Sequence, residues 1–404
     1  MAGMTGLRVA ALVVVATATM TVSYLDRQAM AAMAPKLTAE LELDETTFGL
    51  LASAFSVAYL AGTPAAGLLV DRFGARRVLP AAVGAWSLVS AAHALAVGPW
   101  SLGALRLLLG AAESPSFPAA AQAVARALPP ERREAATGVL FTGSSIGAAV
   151  AAALVPSLVA AWGWQAAFVG TTLVGLAWLP CWWLVTRDLP ALDGPAARGP
   201  SGLAALVPLL RLRVTWRAIA AVVGSAPAIG LVLQWSAKLL VARHGVDPAD
   251  VGRYLWAPPL AFDLGAVGFG AVAAAVTRRR GRAAPQRVPF ALAAVLLLAI
   301  AGIGLGRTPW ETTLVAALAI AGGGGVYTLT TADLLARVPA DRVAAAGSLT
   351  AAAQSLALVL ALPTIGRILD RTHDWRLVGV LLAALAAPAS LVWLMADRPD
   401  PSSA

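Results

Sequence analysis

The long apolar runs of this chain have charges inside them. Asp26, Arg27, Arg106, Glu113, Lys238, Asp263 and Asp333 all lie within stretches of mostly aliphatic residues. A charge near the middle of a bilayer costs roughly 2.5–3.5 kcal/mol on insertion scales. Several of them in one chain are expected to face one another or a wet cavity. Apolar residues make up 59% of the sequence and charged residues 13%, against about 25% charged in an ordinary soluble domain. The pattern predicts a membrane protein with a polar path through it.

The same reading argues against catalysis and a resident cofactor. Cys181 is the single cysteine, and His93, His244 and His373 are far apart, so neither a disulfide framework nor metal-ligand spacing is present. No Ser-His-Asp arrangement, HExxH or phosphate loop is found. The run Gly322 to Gly325 is not followed by Lys-Ser/Thr, and it reads as a close-packing or flexible point. An enzyme is not expected, and no cofactor is implied.

A helix crossing the hydrocarbon core needs about 20 mostly apolar residues. Dividing the chain at Pro, Gly and charge clusters predicts twelve spans, near 7–32, 47–70, 78–97, 100–125, 136–160, 165–186, 214–241, 250–276, 287–306, 311–336, 342–368 and 375–396. Backbone groups in lipid must bond internally, so these runs are helices. The first run lacks a convincing cleavage site and reads as a span, not a leader.

Charge sets the sidedness. With the N-terminus inside, twenty of the 30 basic residues fall on inner segments, seven on outer ones and three (Arg27, Arg106, Lys238) within spans. This distribution predicts both termini in the cytoplasm. It also accounts for the net charge of +9 without nucleic acid as a partner. The stretch 187–212, rich in Pro, Gly and Arg, divides six spans from six. The predicted organisation is an N-terminal bundle over 1–186, a cytoplasmic linker over 187–212 and a C-terminal bundle over 213–404. PERREAATG (Pro130 to Gly138) matches PADRVAAAG (Pro339 to Gly347), and GWQAAF around Trp164 matches DWRLVG around Trp375. Two matches at nearly one offset suggest duplicated halves, as transporters often have.

The loop after the second span, GLLVDRFGARRVL (Gly67 to Leu79), resembles the signature of the major facilitator superfamily. Gly67 is expected to permit close helix packing and Gly74 a tight turn. Asp71 is expected to bridge to a neighbouring helix end, with Arg72, Arg76 and Arg77 holding the loop inside. The equivalent loop of the second half has Thr277 where an acid is expected. SYLDRQAMAAMAP (Ser23 to Pro35), RLLLGAAESPSFPAA (Arg106 to Ala120), FTGSSIGAAVA (Phe141 to Ala151) and the segment Leu233 to Ala266 look like the anion:cation symporters of that superfamily, and the last is similar to its sugar-acid and hexuronate carriers. Three positions depart from that pattern: Ser23 for Asn, Ala237 for Pro and Gln165 for Arg. The resemblance implies an all-α membrane protein of twelve transmembrane helices in two six-helix bundles, a monomer in the plasma (inner) membrane. It would take up a small organic anion by proton symport and alternating access. A proton-coupled exporter of drugs or metabolites is the alternative, as is uptake of an aromatic or other carboxylate.

Several residues carry this expectation. The resemblance marks Arg27 as the carboxylate ligand and Asp26 as a proton-coupling acid. Guanidinium binds carboxylate bidentately and stays charged. Arg106 and Glu113 are two helical turns apart and share a face with Gly103 and Gly110. A carboxyl beside a base can switch protonation with its surroundings, which makes Glu113 the first choice for proton coupling. Tyr59, Ser144, Gln234, Trp235, Lys238, Thr350 and Gln354 are candidate substrate contacts. For Lys238 the competing reading is snorkelling to the outer surface, and for Trp235 an interfacial belt. Ser and Thr in spans often bond only their own backbone. Tyr327, Thr328 and Asp333 are weaker candidates, and Asp263 is open between packing and coupling.

Overall fold

The computed structural model describes residues 6–189, 192–193, 207–280, 286–338 and 342–395. Among these there is no strand. The chain forms two compact units: Met1–Leu43 with Leu50–Ala197 and Val246–Trp256, and Asp44–Gly49 with Arg198–Gly245 and Ala257–Ala404. The divider expected over 187–212 lies largely outside the described residues. The sequence-level division by a single linker also misses two short exchanges: the second unit includes Asp44–Gly49, and the first includes Val246–Trp256.

The first unit holds α1 (Gly6–Ala32), α2 (Ala34–Glu40), most of α3 (Glu45–Phe73), α4 (Ala75–His93), α5 (Pro99–Glu113), α6 (Ser116–Ala127) and α7 (Pro130–Thr186). Helix α7 carries the fifth and sixth crossings as one run, bent where Gly163 has φ 82° and ψ 167°. Only a residue without Cβ takes that backbone cheaply. The fourth crossing, expected as one helix, is broken between α5 and α6 at Ser114 and Pro115. Pro115 has no amide hydrogen to continue the ladder, and Glu113 is therefore the last residue of α5. Trp86, Trp178, Trp182, Leu12 and Phe55 fill the core. Trp178 Nε1 donates to the Val15 carbonyl at 2.9 Å, so α1 and α7 are joined by a polar contact as well as by packing.

The second unit holds α8 (Arg213–His244), α10 (Ala257–Arg280), α11 (Arg287–Leu298), α12 (Pro309–Arg337), α13 (Val343–Thr372) and α14 (Trp375–Met395), while the short α9 (Gly252–Leu255) belongs to the first. Eight helices are long and apolar enough to cross a membrane by themselves, counting α7 once. The second half of α7, α4, the α5–α6 pair, and α11 with its 3-10 extension Ala299–Gly302 complete twelve crossings. The glycine run of α12 is a packing device. Gly322 faces the backbone of α11 at Ala293 and Leu297, Gly323 faces Ile229, and Gly324 faces the Phe262 carbonyl of α10. Phe290 stacks on Trp393 with centroids 3.8 Å apart. The chain is thus a multi-pass, all-helical membrane protein of two six-helix bundles.

Candidate functional site

Within the first unit, α1, α3, α4, α5 and α7 bring the predicted charges together. Asp26, Glu113 and Arg106 are buried, and Arg27 is nearly so. Arg27 Nη2 donates to Glu113 Oε2 at 3.1 Å, and the Ser23 hydroxyl donates to the same oxygen at 2.8 Å. Ser23 and Arg27 are one turn apart on α1, so both reach one carboxylate. The guanidinium of Arg27 lies 4.6 Å from the ring centre of Tyr24, 4.5 Å from that of Phe55 and 5.0 Å from that of Tyr59. Cations attract aromatic faces most strongly where water is excluded. The guanidinium of Arg106 also lies 5.3 Å from the ring centre of Phe55.

Asp26 belongs to a separate node. Its Oδ1 accepts from the Ser90 hydroxyl of α4 at 2.9 Å, and Ser90 is 3.1 Å from the Thr171 hydroxyl of α7. Neighbouring residues on a helix point about 100° apart. Asp26 and Arg27 therefore serve different neighbours, as their adjacency predicts. Glu113 pairs across to α1, whereas its sequence spacing suggested Arg106 on its own helix. Buried polar groups are normally satisfied, yet Glu113 Oε1, Asp26 Oδ2, Arg27 Nε and Arg106 Nε and Nη1 have no hydrogen-bond partner among the described residues. This set of unspent donors and acceptors suits a ligand that brings both a carboxylate and hydroxyls. Tyr59 is half-buried and stacked on Phe55. Ser144 is half-buried on α7.

The candidates of the second unit are arranged differently. Lys238 does not snorkel: its side chain is 8% exposed and pairs with Glu45, which is 28% exposed. Its ammonium also lies 5.2 Å from the ring of Phe48. Trp235 is fully buried against Phe48 and Trp375, which places it in an aromatic core and not in an interfacial belt. Gln234 is half-buried, and its Oε1 has no hydrogen-bond partner among the described residues. Thr350 gives its hydroxyl to the carbonyl of Gly347 at 2.9 Å, a bond within its own helix, and Gln354 is half-buried beyond it. Asp333 pairs with Arg217 and Arg337. Asp263 is half-buried on α10, as are Tyr327 and Thr328 on α12.

The loop motif differs from expectation at two residues. Gly74 has φ 78° and starts α4, as the turn requires. Asp71 is exposed and forms no ion pair among the described residues. The acid that serves the loop is Asp193, 2.8 Å from Arg76 and 3.7 Å from Arg77. Arg72 is exposed beside Phe73. Gly67 has nothing within 4 Å of where a Cβ would stand, so it is not a packing glycine here. Gly110 is one: its Cβ would meet the backbone of Phe55 and Tyr59. Sequence reasoning missed Ser90, Thr171 and Gln122. Gln122 Oε1 accepts from the Ala75 amide at 3.0 Å and ties α6 to the start of α4. An isolated polar residue in a span is the only signal these three give.

The chain is similar to carriers of known class. A hexuronate transporter of Bacillus subtilis (strain 168) is 27% identical over 94% of this chain and 92% of its own length. The hexuronate transporter of Escherichia coli (strain K12) is 28% identical over 92% and 90%. The crystal structure of a bacterial homologue of the human lysosomal transporter Spinster matches with a TM-score of 0.84 at 16% identity, covering 98% of this chain and 100% of the other, which shows the fold. The family profile described as Major Facilitator Superfamily matches residues 16–362. The chain belongs to the Major Facilitator Superfamily, and it is a transporter and not an enzyme.

Proposed function

We propose that this protein takes up a small monoanionic sugar acid, a hexuronate or an aldonate, by symport with protons across the plasma (inner) membrane, with both termini cytoplasmic. The observation that carries the reading is the buried Arg27–Glu113 pair, set among aromatic faces and beside a second guanidinium, Arg106. An acid and a carboxylate substrate would compete for one guanidinium. When Glu113 takes a proton, its hold on Arg27 weakens and the guanidinium is freed for the anion. Loss of that proton after release restores the pair and resets the site. Access alternates between the two sides of the membrane during this exchange. Asp26, held by Ser90, is a second acid for coupling. Arg106 adds positive charge, and hydroxyls such as Tyr59 and Ser144 would serve the polyol. The similarity to hexuronate transporters over nine-tenths of both chains supports this substrate class.

Aromatic acids are the second reading. A gallate transporter of Pseudomonas putida is 35% identical over 45% of this chain and 41% of its own, and Tyr24, Phe55 and Tyr59 offer ring faces around Arg27. Counterflow in proteoliposomes separates the possibilities, using galactonate, glucuronate, gallate and a lipophilic cation. Exchange of a sugar acid that is stimulated by an inward proton gradient is expected. Exchange of gallate alone would favour the aromatic reading, and exchange of the cation alone would overturn the anion site.

A further inference from the structure

Asp26, Ser90 and Thr171 come from three helices, α1, α4 and α7, and all three are buried. Their side chains form a row of contacts that ends on backbone. Ser90 Oγ is 2.9 Å from Asp26 Oδ1 and 3.1 Å from Thr171 Oγ1, and Thr171 Oγ1 is 3.0 Å from the Phe168 carbonyl oxygen. A hydroxyl has one hydrogen to give and can accept at the same time. With Asp26 charged, the three contacts share two hydrogens, so one contact is always empty. Ser90 then donates to the carboxylate, and Thr171 donates either to Ser90 or to Phe168. With a proton on Oδ1 there are three hydrogens for three contacts, and all run one way: Asp26 to Ser90, Ser90 to Thr171, Thr171 to the carbonyl.

The other carboxyl oxygen does not compete. Oδ2 has no hydrogen-bond partner among the described residues, so a proton there would find no acceptor among them, and a buried polar hydrogen left unbonded is costly. The row also has a closed end. A peptide carbonyl accepts but has no hydrogen to pass on, so this path does not conduct protons from Asp26 into α7. It registers whether the carboxyl holds one. From α5, the charged side chains that act on Asp26 are Glu113 and Arg106. Arg27 adjoins it on α1, and His93 follows Ser90 by three residues on α4.

We propose that Ser90 and Thr171 are positioning residues for Asp26 whose hydrogen bonds reverse when it gains a proton, keeping Oδ1 bonded in both states of the transport cycle. This rests on the reading of Asp26 as a coupling acid. When the co-transported proton joins Oδ1, Asp26 becomes the donor. The Ser90 hydrogen turns to Thr171, and the Thr171 hydrogen points to Phe168. No heavy atom has to move, and loss of the proton restores the bond from Ser90 to the carboxylate.

Variants separate the two hydroxyls. Thr171→Val keeps the shape and removes the acceptor that Ser90 needs when Asp26 is neutral. Ser90→Ala removes the donor to the charged carboxylate, and charge-assisted bonds are the stronger ones. Infrared difference spectra of the purified protein without substrate follow the protonated carboxyl band of Asp26, identified by its loss in Asp26→Asn, as the pH is varied. Thr171→Val should move the midpoint of this band down by about half a pH unit. Ser90→Ala should move it up by at least as much, and Thr171→Ser should restore the wild-type value. The pH of half-maximal proton-driven uptake should move in the same directions. Unchanged midpoints, or shifts of both variants in one direction, would overturn the proposal. So would the absence of any band lost in Asp26→Asn across the pH range in which the protein stays folded. Opposite shifts in a protein whose sugar-acid exchange ignores a proton gradient would leave the hydroxyl relay standing and reject the coupling role of Asp26 alone.

Discussion

Arg27 Nη2 lies 3.1 Å from Glu113 Oε2, although the two residues are 86 positions apart in sequence. The pair is one salt bridge between α1 and the last residue of α5. It sits where the fourth crossing breaks at Pro115. A broken helix in a transporter frees backbone and places side chains at a ligand site. Position and charge thus converge on the same residue, Glu113, as the group whose protonation would set Arg27 free.

Glu113→Gln tests that convergence. The amide can still accept from Ser23, so the local packing should survive. It cannot bind and release a proton. Accumulation driven by a proton gradient is expected to vanish, with substrate exchange retained at equal pH on both sides. Full concentrative uptake by this variant would reject the assignment.

Arg27→Lys keeps the charge but loses the planar fork and its contact with three rings. Charge-assisted bonds contribute about 1.5–3 kcal/mol, and a loss of ~2 kcal/mol is roughly thirtyfold in affinity. The KM for the anion should rise by about that factor. A KM equal to that of the wild type would remove Arg27 from the binding set.

How far the sequence could be read follows from the length scale of each feature. Apolar runs are local, so twelve crossings were legible, as was the turn at Gly74 from its place in the loop motif. The helical repeat is also local, and it put Gly110 on the stripe of Arg106 and Glu113. Partner choice is not local. Ser23 and Ser90 meet acids on other helices, while Thr350 bonds its own turn, and nothing in the three sequences distinguishes them. The loop motif points to Asp71 as the acid that bridges to a neighbouring helix end, whereas Asp193, 117 positions from Arg76, is the acid that meets the loop's arginine. Trp235 read as a substrate contact or as part of an interfacial belt, and the rings of Phe48 and Trp375 place it in an aromatic core instead.

The second unit offers an asymmetric test. Lys238 is 8% exposed and Glu45 28%. Removing one partner of a buried pair leaves the other uncompensated, and the penalty grows with burial. Glu45→Gln strands the more buried ammonium, so it should lower the melting temperature more than Lys238→Met does. Asp370 reinforces this corner by accepting from the amides of Glu45 and Thr46 at 2.8 Å each. Equal shifts for the two variants would mean that water reaches both charges alike.

Asp44 starts α3, and its Oδ1 accepts from the Thr47 amide at 2.7 Å. Bonds from the Thr47 side chain and backbone, with a smaller effect of the Lys238 charge, hold its carboxyl below the usual value near 3.8. The folded chain therefore binds this proton less readily than the unfolded chain. The stabilisation is full above the usual aspartate range and is lost as pH falls through the folded value. Asp44→Ala should cost about 1 kcal/mol at neutral pH, and the gap in melting temperature should narrow as the pH is lowered through 4. A gap that is constant with pH would show that the cap does not depend on the charge.

Two glycines that look alike in sequence should respond oppositely to alanine. At Gly110 a Cβ would stand 3.0 Å from the Tyr59 amide nitrogen and closer still to the Phe55 carbonyl oxygen. These are backbone atoms in a helix and cannot rotate away, so α5 must separate from α3. That separation would shift Phe55 and Tyr59, which form two of the three ring faces against Arg27. Gly110→Ala should lower the melting temperature and weaken anion binding together. At Gly67 a Cβ meets nothing within 4 Å. Alanine in a helix interior is favoured over glycine by roughly 0.5–1 kcal/mol, so Gly67→Ala should leave the melting temperature unchanged or raise it. If both variants melted alike, the close approach of α3 and α5 would have no energetic weight, and the aromatic wall of the site would have to be held by something else.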